Sequence, residues 1–200
     1  MPILTLVRHG ETDWNRERRI QGTTDIPLND TGRQQARDAA AILRATLEDR
    51  PVIMVSSDLS RASETAQIMA VELGLSEPRQ YSDLRERAYG TAEGIRSDEF
   101  PERWGDWHTA EVPGAETRPH LRARALRALR RVGADARRAT APVAASLIVV
   151  THGALIREVI RHATREEFPV DGERLENGSA TTFLLERDRL RLLSYSGVTV

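Results

Sequence analysis

Three short stretches of this chain are apolar without a break, and each runs straight into polar or charged groups. Ile3 to Val7 stops at Arg8-His9-Gly10, Val52 to Val55 stops at Ser56-Ser57, and Leu147 to Val150 stops at Thr151-His152-Gly153. Strands half-exposed to water alternate apolar and polar residues; strands buried on both faces do not. The three runs therefore predict parallel strands inside a sheet that is covered on both sides.

The intervening segments supply the cover. Asn29-Asp30-Thr31-Gly32 reads as a turn and N-cap before an Ala-rich helix over about 32–47. A second helix is expected over 60–73, closed by Gly74. A long Arg/Ala/Leu helix over 117–139 keeps Leu121, Ala125, Leu129 and Val132 on one face, and a further helix covers 154–163. Segments 180–186 and 190–195 read as two final strands joined by a turn at Arg187-Asp188-Arg189. Residues 75–95 show no clear period. Residues 96–117 hold two prolines, two glycines, two tryptophans and several acids, and read as an inserted loop or small cap. The order predicts an α/β, three-layer sandwich: a mostly parallel central sheet flanked by helices, with a short cap, in one domain over 1–200.

Composition removes several chemistries. There is no cysteine, hence no disulfide, thiolate nucleophile or Cys-ligated zinc. There is no lysine either; all 29 basic residues are arginine, which excludes a phosphate-loop lysine and a Schiff base. A net charge of −1 argues against a nucleic-acid or membrane-surface partner. No apolar stretch reaches the roughly 18 residues of a membrane helix, and no signal-peptide pattern opens the chain, so a cytoplasmic location is expected.

In an open α/β sheet, ligands bind beyond the carboxyl ends of the strands. Parallel strands put those ends on one edge. Arg8 and His9 follow the first apolar run, Arg61 opens the helix after the second, and His152 follows the third. Two arginines and one histidine make a cage for a tetrahedral dianion, because a guanidinium matches phosphate oxygens in pairs. The remaining histidine is then free to attack phosphorus. Nearby guanidiniums disfavour its protonation and keep it nucleophilic. Gly10 is expected to let the backbone approach the substrate. The leaving alkoxide needs a proton, for which LRERAYGTAEG offers Glu86 and Glu93; the residues alone leave that choice open.

LVRHGETDWNRERRIQG, PLNDTGRQQA, VSSDLSRASETA, LRERAYGTAEG and VTHGALIR, in that order, resemble the histidine phosphatase superfamily, which includes the cofactor-dependent phosphoglycerate mutases. The resemblance covers most of the chain. It implies that His9 is the phosphorylated nucleophile, that Arg8, Arg61 and His152 grip the phosphoryl group, and that Glu86 is the proton donor. It adds Asn15 and Gln21 as hydrogen-bonding groups and Gly22-Thr23 as a substrate-touching loop. It implies no cofactor and no metal.

Thr23 stands where many members carry an aromatic residue, and the 96–117 segment is short. That segment is also acidic, with Asp98, Glu99, Glu102, Asp106, Glu111 and Glu116 against Arg96 and Arg103. A mutase has to hold a second phosphate and exclude water. The favoured expectation is thus a metal-independent phosphatase acting on a small phosphorylated metabolite. The alternatives are a phosphoglycerate mutase, with Arg118, Arg122 and Arg124 as a second anion site, and a non-catalytic phosphate-binding protein. Trp104 and Trp107 are expected to pack under the cap, and His108 and His120 to lie on the surface. Edge-strand pairing into a homodimer is open to such a fold.

Overall fold

Each apolar run becomes a strand. In the computed structural model, which describes residues 3–47, 51–107, 109–170, 172–185, 189–195 and 198–199, the strands are β1 (Ile3–Arg8), β2 (Val52–Ser57), β3 (Arg79–Tyr81), β4 (Ser146–Thr151), β5 (Ala180–Leu185), β6 (Leu190–Tyr195) and β7 (Val198–Thr199). They form one sheet in the order β3-β2-β4-β1-β5-β6-β7. The first four run parallel, with Leu6 opposite Val149 and Met54 opposite Ile148. From β1 outward through β5, β6 and β7 the pairing is antiparallel.

The continuous apolar character has a direct cause. Successive residues point to opposite faces, and both faces are core. Leu147 and Val149 join Leu4, Leu6 and Val55 in one cluster, while Ile148 and Val150 join Val7 and Met54 in another. The helices are α1 (Asp13–Arg16), α2 (Asp30–Arg44), α3 (Ser60–Leu73), α4 (Phe100–Trp104), α5 (Arg118–Thr140) and α6 (Gly153–Thr164). Ala36, Ala40, Ala62, Ala66 and Met69 of α2 and α3 cover the second cluster. Leu121, Ala125, Val132, Leu155 and Val159 of α5 and α6 cover the first.

Local signals set the helix ends. The Asn29 side chain accepts the Gly32 N–H at 2.9 Å, and Gly74 ends α3 in the left-handed region at φ 67°. The sequence did not signal α1 or β3, which are too short to show a period. Residues 82–84 and 90–92 are single 3-10 turns inside the segment without a clear period. Of the expected turn after β5, Arg187 and Asp188 lie outside the described residues, as does His108. His120 is exposed at the start of α5.

The cap has its own small core. Ile20, Ala92 and Phe100 are buried together, with Tyr89, Ile95, Trp104 and Trp107 packed against them. Phe100 and Trp107 stack at 3.7 Å. A short antiparallel ribbon ties this roof to the chain after α1: Ile20 N–H donates to the Ile95 carbonyl at 2.9 Å, and Gly94 N–H to the Ile20 carbonyl at 2.8 Å.

Candidate active site

Arg8 and Thr151 are register partners at the carboxyl ends of β1 and β4. His9, which follows β1, and Arg61, from the first turn of α3, meet at a cavity of about 150 Å³. Arg8, His9, Asn15, Gln21, Gly22, Arg61 and Glu86 line it. His152 is fully buried next to His9, the ring centroids 5.1 Å apart.

His9 is 3% exposed, and its Nδ1 lies 2.7 Å from the Gly10 carbonyl oxygen. A carbonyl only accepts, so Nδ1 carries the proton and Nε2 keeps its lone pair. Burial, then the charges of Arg61 and Arg8, hold this imidazole well below the usual histidine range. His152 is held low by burial, by Arg61, by His9 and by Arg8. Both imidazoles are neutral at neutral pH.

The guanidiniums are fixed by carbonyls. Arg61, 0% exposed, donates to the Gly22 carbonyl at 2.7 Å and to the Thr24 carbonyl at 3.0 Å. Arg8 donates to the Leu175 carbonyl. Arg8 Nε, Arg61 Nε and both ring nitrogens of His152 are buried without a hydrogen-bond partner. An unpaired buried donor costs on the order of 1–3 kcal/mol, more when charged. Three residues that line or adjoin the cavity thus keep polar nitrogens that the protein leaves unpaired, an arrangement suited to an anion.

Two amides face the same space. The Asn15 carbonyl oxygen accepts from Thr12 N–H and from Asn177 Nδ2, each at 3.2 Å, and the Gln21 carbonyl oxygen accepts from the Thr12 hydroxyl at 3.0 Å. Their amide nitrogens are what remains for a ligand. Asn177 also donates to the His9 carbonyl at 2.9 Å and so steadies the backbone at that residue.

One expected site residue stands outside the cavity lining, and one expectation needs correction. Thr23 is exposed and does not line the cavity; its N–H donates to Glu93 Oε1 at 2.9 Å, and its hydroxyl lies 3.2 Å from the same oxygen. Gly10 is required by packing rather than by substrate approach: a Cβ there would sit 2.2 Å from the Gly32 carbonyl oxygen at the start of α2.

The two glutamates have different surroundings. Glu86 lines the cavity and docks on the first turn of α6, its oxygens accepting from Ala154 N–H at 3.1 Å and Leu155 N–H at 3.3 Å. Glu93 receives the N–H groups of Thr23, Thr24 and Tyr89 at 2.9, 2.9 and 3.0 Å and the Thr24 hydroxyl at 2.6 Å. Burial pushes the Glu93 carboxyl up, but these hydrogen bonds outweigh it and hold the group below the usual range. Glu93 ties down the very loop whose carbonyls hold Arg61.

Two of the arginines considered for a second anion site are committed elsewhere. Arg122 pairs with buried Glu158 at 2.8 Å and with Glu166 at 2.5 Å. Arg124 pairs with Glu116 at 2.7 Å and donates to the carbonyls of Asp83, Arg85 and Glu86. The cavity has four lining residues that the sequence did not assign to it: Arg19, Ile20, Tyr89 and Trp107. Trp107 packs on Phe100, as expected of it, and lines the cavity as well. Among the described residues no three His, Asp or Glu side chains are grouped to hold a metal ion, and no helix is long and apolar enough to cross a membrane.

A doubly covered sheet with paired histidines and arginines at its carboxyl edge defines a phosphoryl-handling site. The chain belongs to the histidine phosphatase superfamily, whose branch 1 model matches residues 4–196. It is 38% identical over 191 residues to phosphoglycerate mutase-like protein 4 of Arabidopsis thaliana, covering 91% of this chain and 79% of that one. It is 33% identical over 196 residues to the uncharacterized phosphatase PhoE of Bacillus subtilis, covering 98% and 95% of the two chains. Among solved structures, a mycobacterial glucosyl-3-phosphoglycerate phosphatase with VO3 superposes with a TM-score of 0.78 at 27% identity, over the full length of both chains. By class the protein is a histidine phosphatase.

Proposed function

We propose that the protein hydrolyses a small phosphomonoester through a phosphohistidine at His9, without a metal ion. His9 Nε2 attacks phosphorus, the bond to the ester oxygen breaks, and protonated Glu86 gives its proton to the departing alkoxide. Glu86, now a carboxylate, takes a proton from water. The resulting hydroxide attacks phosphorus, the P–N bond breaks, and inorganic phosphate leaves. Arg8, Arg61, an N–H of His152 and the amides of Asn15 and Gln21 hold the equatorial oxygens through both steps. The cytoplasmic setting belongs to the same proposal, since charged phosphate esters are made and kept inside cells.

The observation that carries this reading is the set of unpaired nitrogens on Arg8, Arg61 and His152 beside a neutral His9. Hydrolysis is favoured over phosphoryl shuttling because Arg122 and Arg124 are held by carboxylates away from the cavity. The test is phosphate release from a phosphomonoester panel with a chelator present, for the native protein and for His9→Ala. 3-Phosphoglycerate with catalytic 2,3-bisphosphoglycerate is included. Chelator-resistant, His9-dependent release without 2-phosphoglycerate is expected. Isomer formation faster than release would make the protein a mutase. Neither activity in a folded protein would make it a phosphate-binding protein.

A further inference from the structure

Glu86 sits on a stretch with little regular structure. After the single turn at 82–84, no helix or strand takes up the backbone groups around it. A backbone carbonyl outside secondary structure finds a donor elsewhere. Here four consecutive carbonyls are each given one. The Thr151 hydroxyl, at the end of β4, donates to the Leu84 carbonyl at 2.7 Å. Arg124 of α5 serves the other three. Its Nη1 donates to the Asp83 carbonyl at 2.9 Å and to the Arg85 carbonyl at 2.8 Å, and its Nη2 to the Glu86 carbonyl at 3.2 Å.

A guanidinium has five N–H donors in a fixed fork. The two that remain go to Glu116, where Nε donates to Oε1 at 2.9 Å and Nη2 to Oε2 at 2.7 Å. All five donors of Arg124 are therefore used inside the protein. The two side chains are only 19% and 17% exposed, so water competes weakly for these bonds. Glu116 is fastened to the same stretch through its own backbone. Its N–H donates to the Ala88 carbonyl at 2.8 Å, and its carbonyl accepts from Arg87 Nε at 2.7 Å.

The Glu86 carboxyl depends on that support. Its bonds to the Ala154 and Leu155 N–H groups are long, 3.1 and 3.3 Å, and steer only the end of the side chain. Where the side chain starts is set by the backbone that Arg124 holds. A general acid has to lie within hydrogen-bond reach of the oxygen it protonates. A misplacement of about 1 Å costs on the order of 10²-fold.

Building on the reading of Glu86 as the proton donor, we propose that Arg124, its fork held by Glu116, is a positioning residue that fixes the Glu86 backbone so that the carboxyl reaches the leaving-group oxygen. Arg124 also acts on His152 through its charge. His152 serves the phosphoryl group, which every ester shares, so that influence is uniform across substrates. Loss of positioning is not uniform, because only a poor leaving group needs the proton.

The test reads kcat/KM on 3-phosphoglycerate, an alkyl ester, and on p-nitrophenyl phosphate, with thermal melts as the check on folding. The variants are Arg124→Met, Arg124→Lys, Glu86→Gln and the double variant Arg124→Lys/Glu86→Gln. Arg124→Met should lose on the order of 10²-fold on the alkyl ester and less than about fivefold on the aryl ester. Lysine keeps the charge, but its three donors at one point cannot serve three carbonyls and two carboxylate oxygens. Arg124→Lys should therefore show the same pattern at about tenfold on the alkyl ester, and it carries the test if Arg124→Met does not fold. In the Glu86→Gln background the lysine should cost less than about twofold more, because a residue that acts through Glu86 has nothing left to position. Equal loss on the two esters in Arg124→Lys, native activity in that variant, or a full added loss in the double variant would overturn the proposal and leave the phosphatase reading standing. No His9-dependent hydrolysis by the native protein, or a uniform loss in Glu86→Gln, would sink the reading itself and this proposal with it.

Discussion

Replacing Glu86 and Glu93 in turn by glutamine separates a chemical role from a structural one. Four donors converge on the two Glu93 oxygens: Thr23 and Tyr89 N–H on Oε1, and Thr24 N–H and hydroxyl on Oε2. Glutamine offers one oxygen and turns an NH2 toward the other pair. The Thr24 hydroxyl can rotate to accept, but its backbone N–H cannot. At least one N–H is orphaned and the others lose a charged partner, at about 1–3 kcal/mol for each bond to charge. The site is part-exposed, so we take about 2 kcal/mol in total, discounted for solvent screening. In a chain of this length that lowers Tm by roughly 4–8 °C. The loop that holds Arg61 then loosens, and activity falls by a similar factor on every substrate. The Glu93 carboxyl is depressed in the folded protein, so its contribution is complete above the ordinary carboxylate range and fades as pH falls through the lower folded value. The Tm gap to Glu93→Gln should therefore close in acid.

Glu86→Gln removes the proton donor. General acid catalysis contributes about 10²–10⁴-fold where the leaving group is a poor one. An alkyl phosphate should lose that much in kcat/KM, and p-nitrophenyl phosphate, whose leaving group needs no proton, far less. The assay is kcat/KM on both esters for both variants, with thermal melts. A uniform loss in Glu86→Gln, or a leaving-group-dependent loss in Glu93→Gln at unchanged Tm, would refute the assignment.

Two further outcomes are expected. Because His9 is held well below the usual range by burial and by Arg61 and Arg8, its neutral, nucleophilic form persists in mild acid. With the substrate's own ionisation near 6 divided out, the acid limb of kcat/KM should fall well under pH 6.5, and a limb at or above the ordinary histidine value would contradict a depressed nucleophile. Inorganic phosphate should raise Tm by filling the ring of unpaired nitrogens. At a hundred times its dissociation constant the gain is about 2.7 kcal/mol, and an unshifted melt at saturating phosphate would show that these nitrogens do not bind an anion.

Much of this arrangement was legible because the strands are continuous in composition. Doubly buried runs can only be central strands, and a parallel sheet forces Arg8, His9 and His152 onto one edge. Arg61 could be placed because β2 hands the chain to α3 within a few residues. What local reasoning could not reach is set by distant contacts. The choice between Glu86 and Glu93 depends on the first turn of α6, which lies 68 residues beyond Glu86 at Ala154. Arg19, Tyr89 and Trp107 come from a ribbon and a cap without periodicity, and only the pairing of Ile20 with Ile95 brings them to the cavity. Gly10 looked like a gap left for substrate, and the neighbour that fills the gap, Gly32, is specified by how α2 docks.

The two cage arginines carry a cost that other parts of the molecule accept. A buried guanidinium is usually neutralised by a carboxylate. Here Arg61 is held by the Gly22 and Thr24 carbonyls and Arg8 by the Leu175 carbonyl; among the described residues neither makes an ion pair, and carboxylates, Glu86 foremost, act on both only through their charge. A carboxylate in either place would raise the His9 pKa and compete with the phosphoryl group for the same N–H donors. Carbonyl anchoring fixes the guanidiniums in position, so they need not reorganise when charge develops on the equatorial oxygens. The carboxylates that do the holding stand one step back. Glu93 grips the loop rather than the cation, and Glu86 rests on α6 rather than on an arginine. Moving either acid onto Arg61 would gain stability and lose the nucleophile.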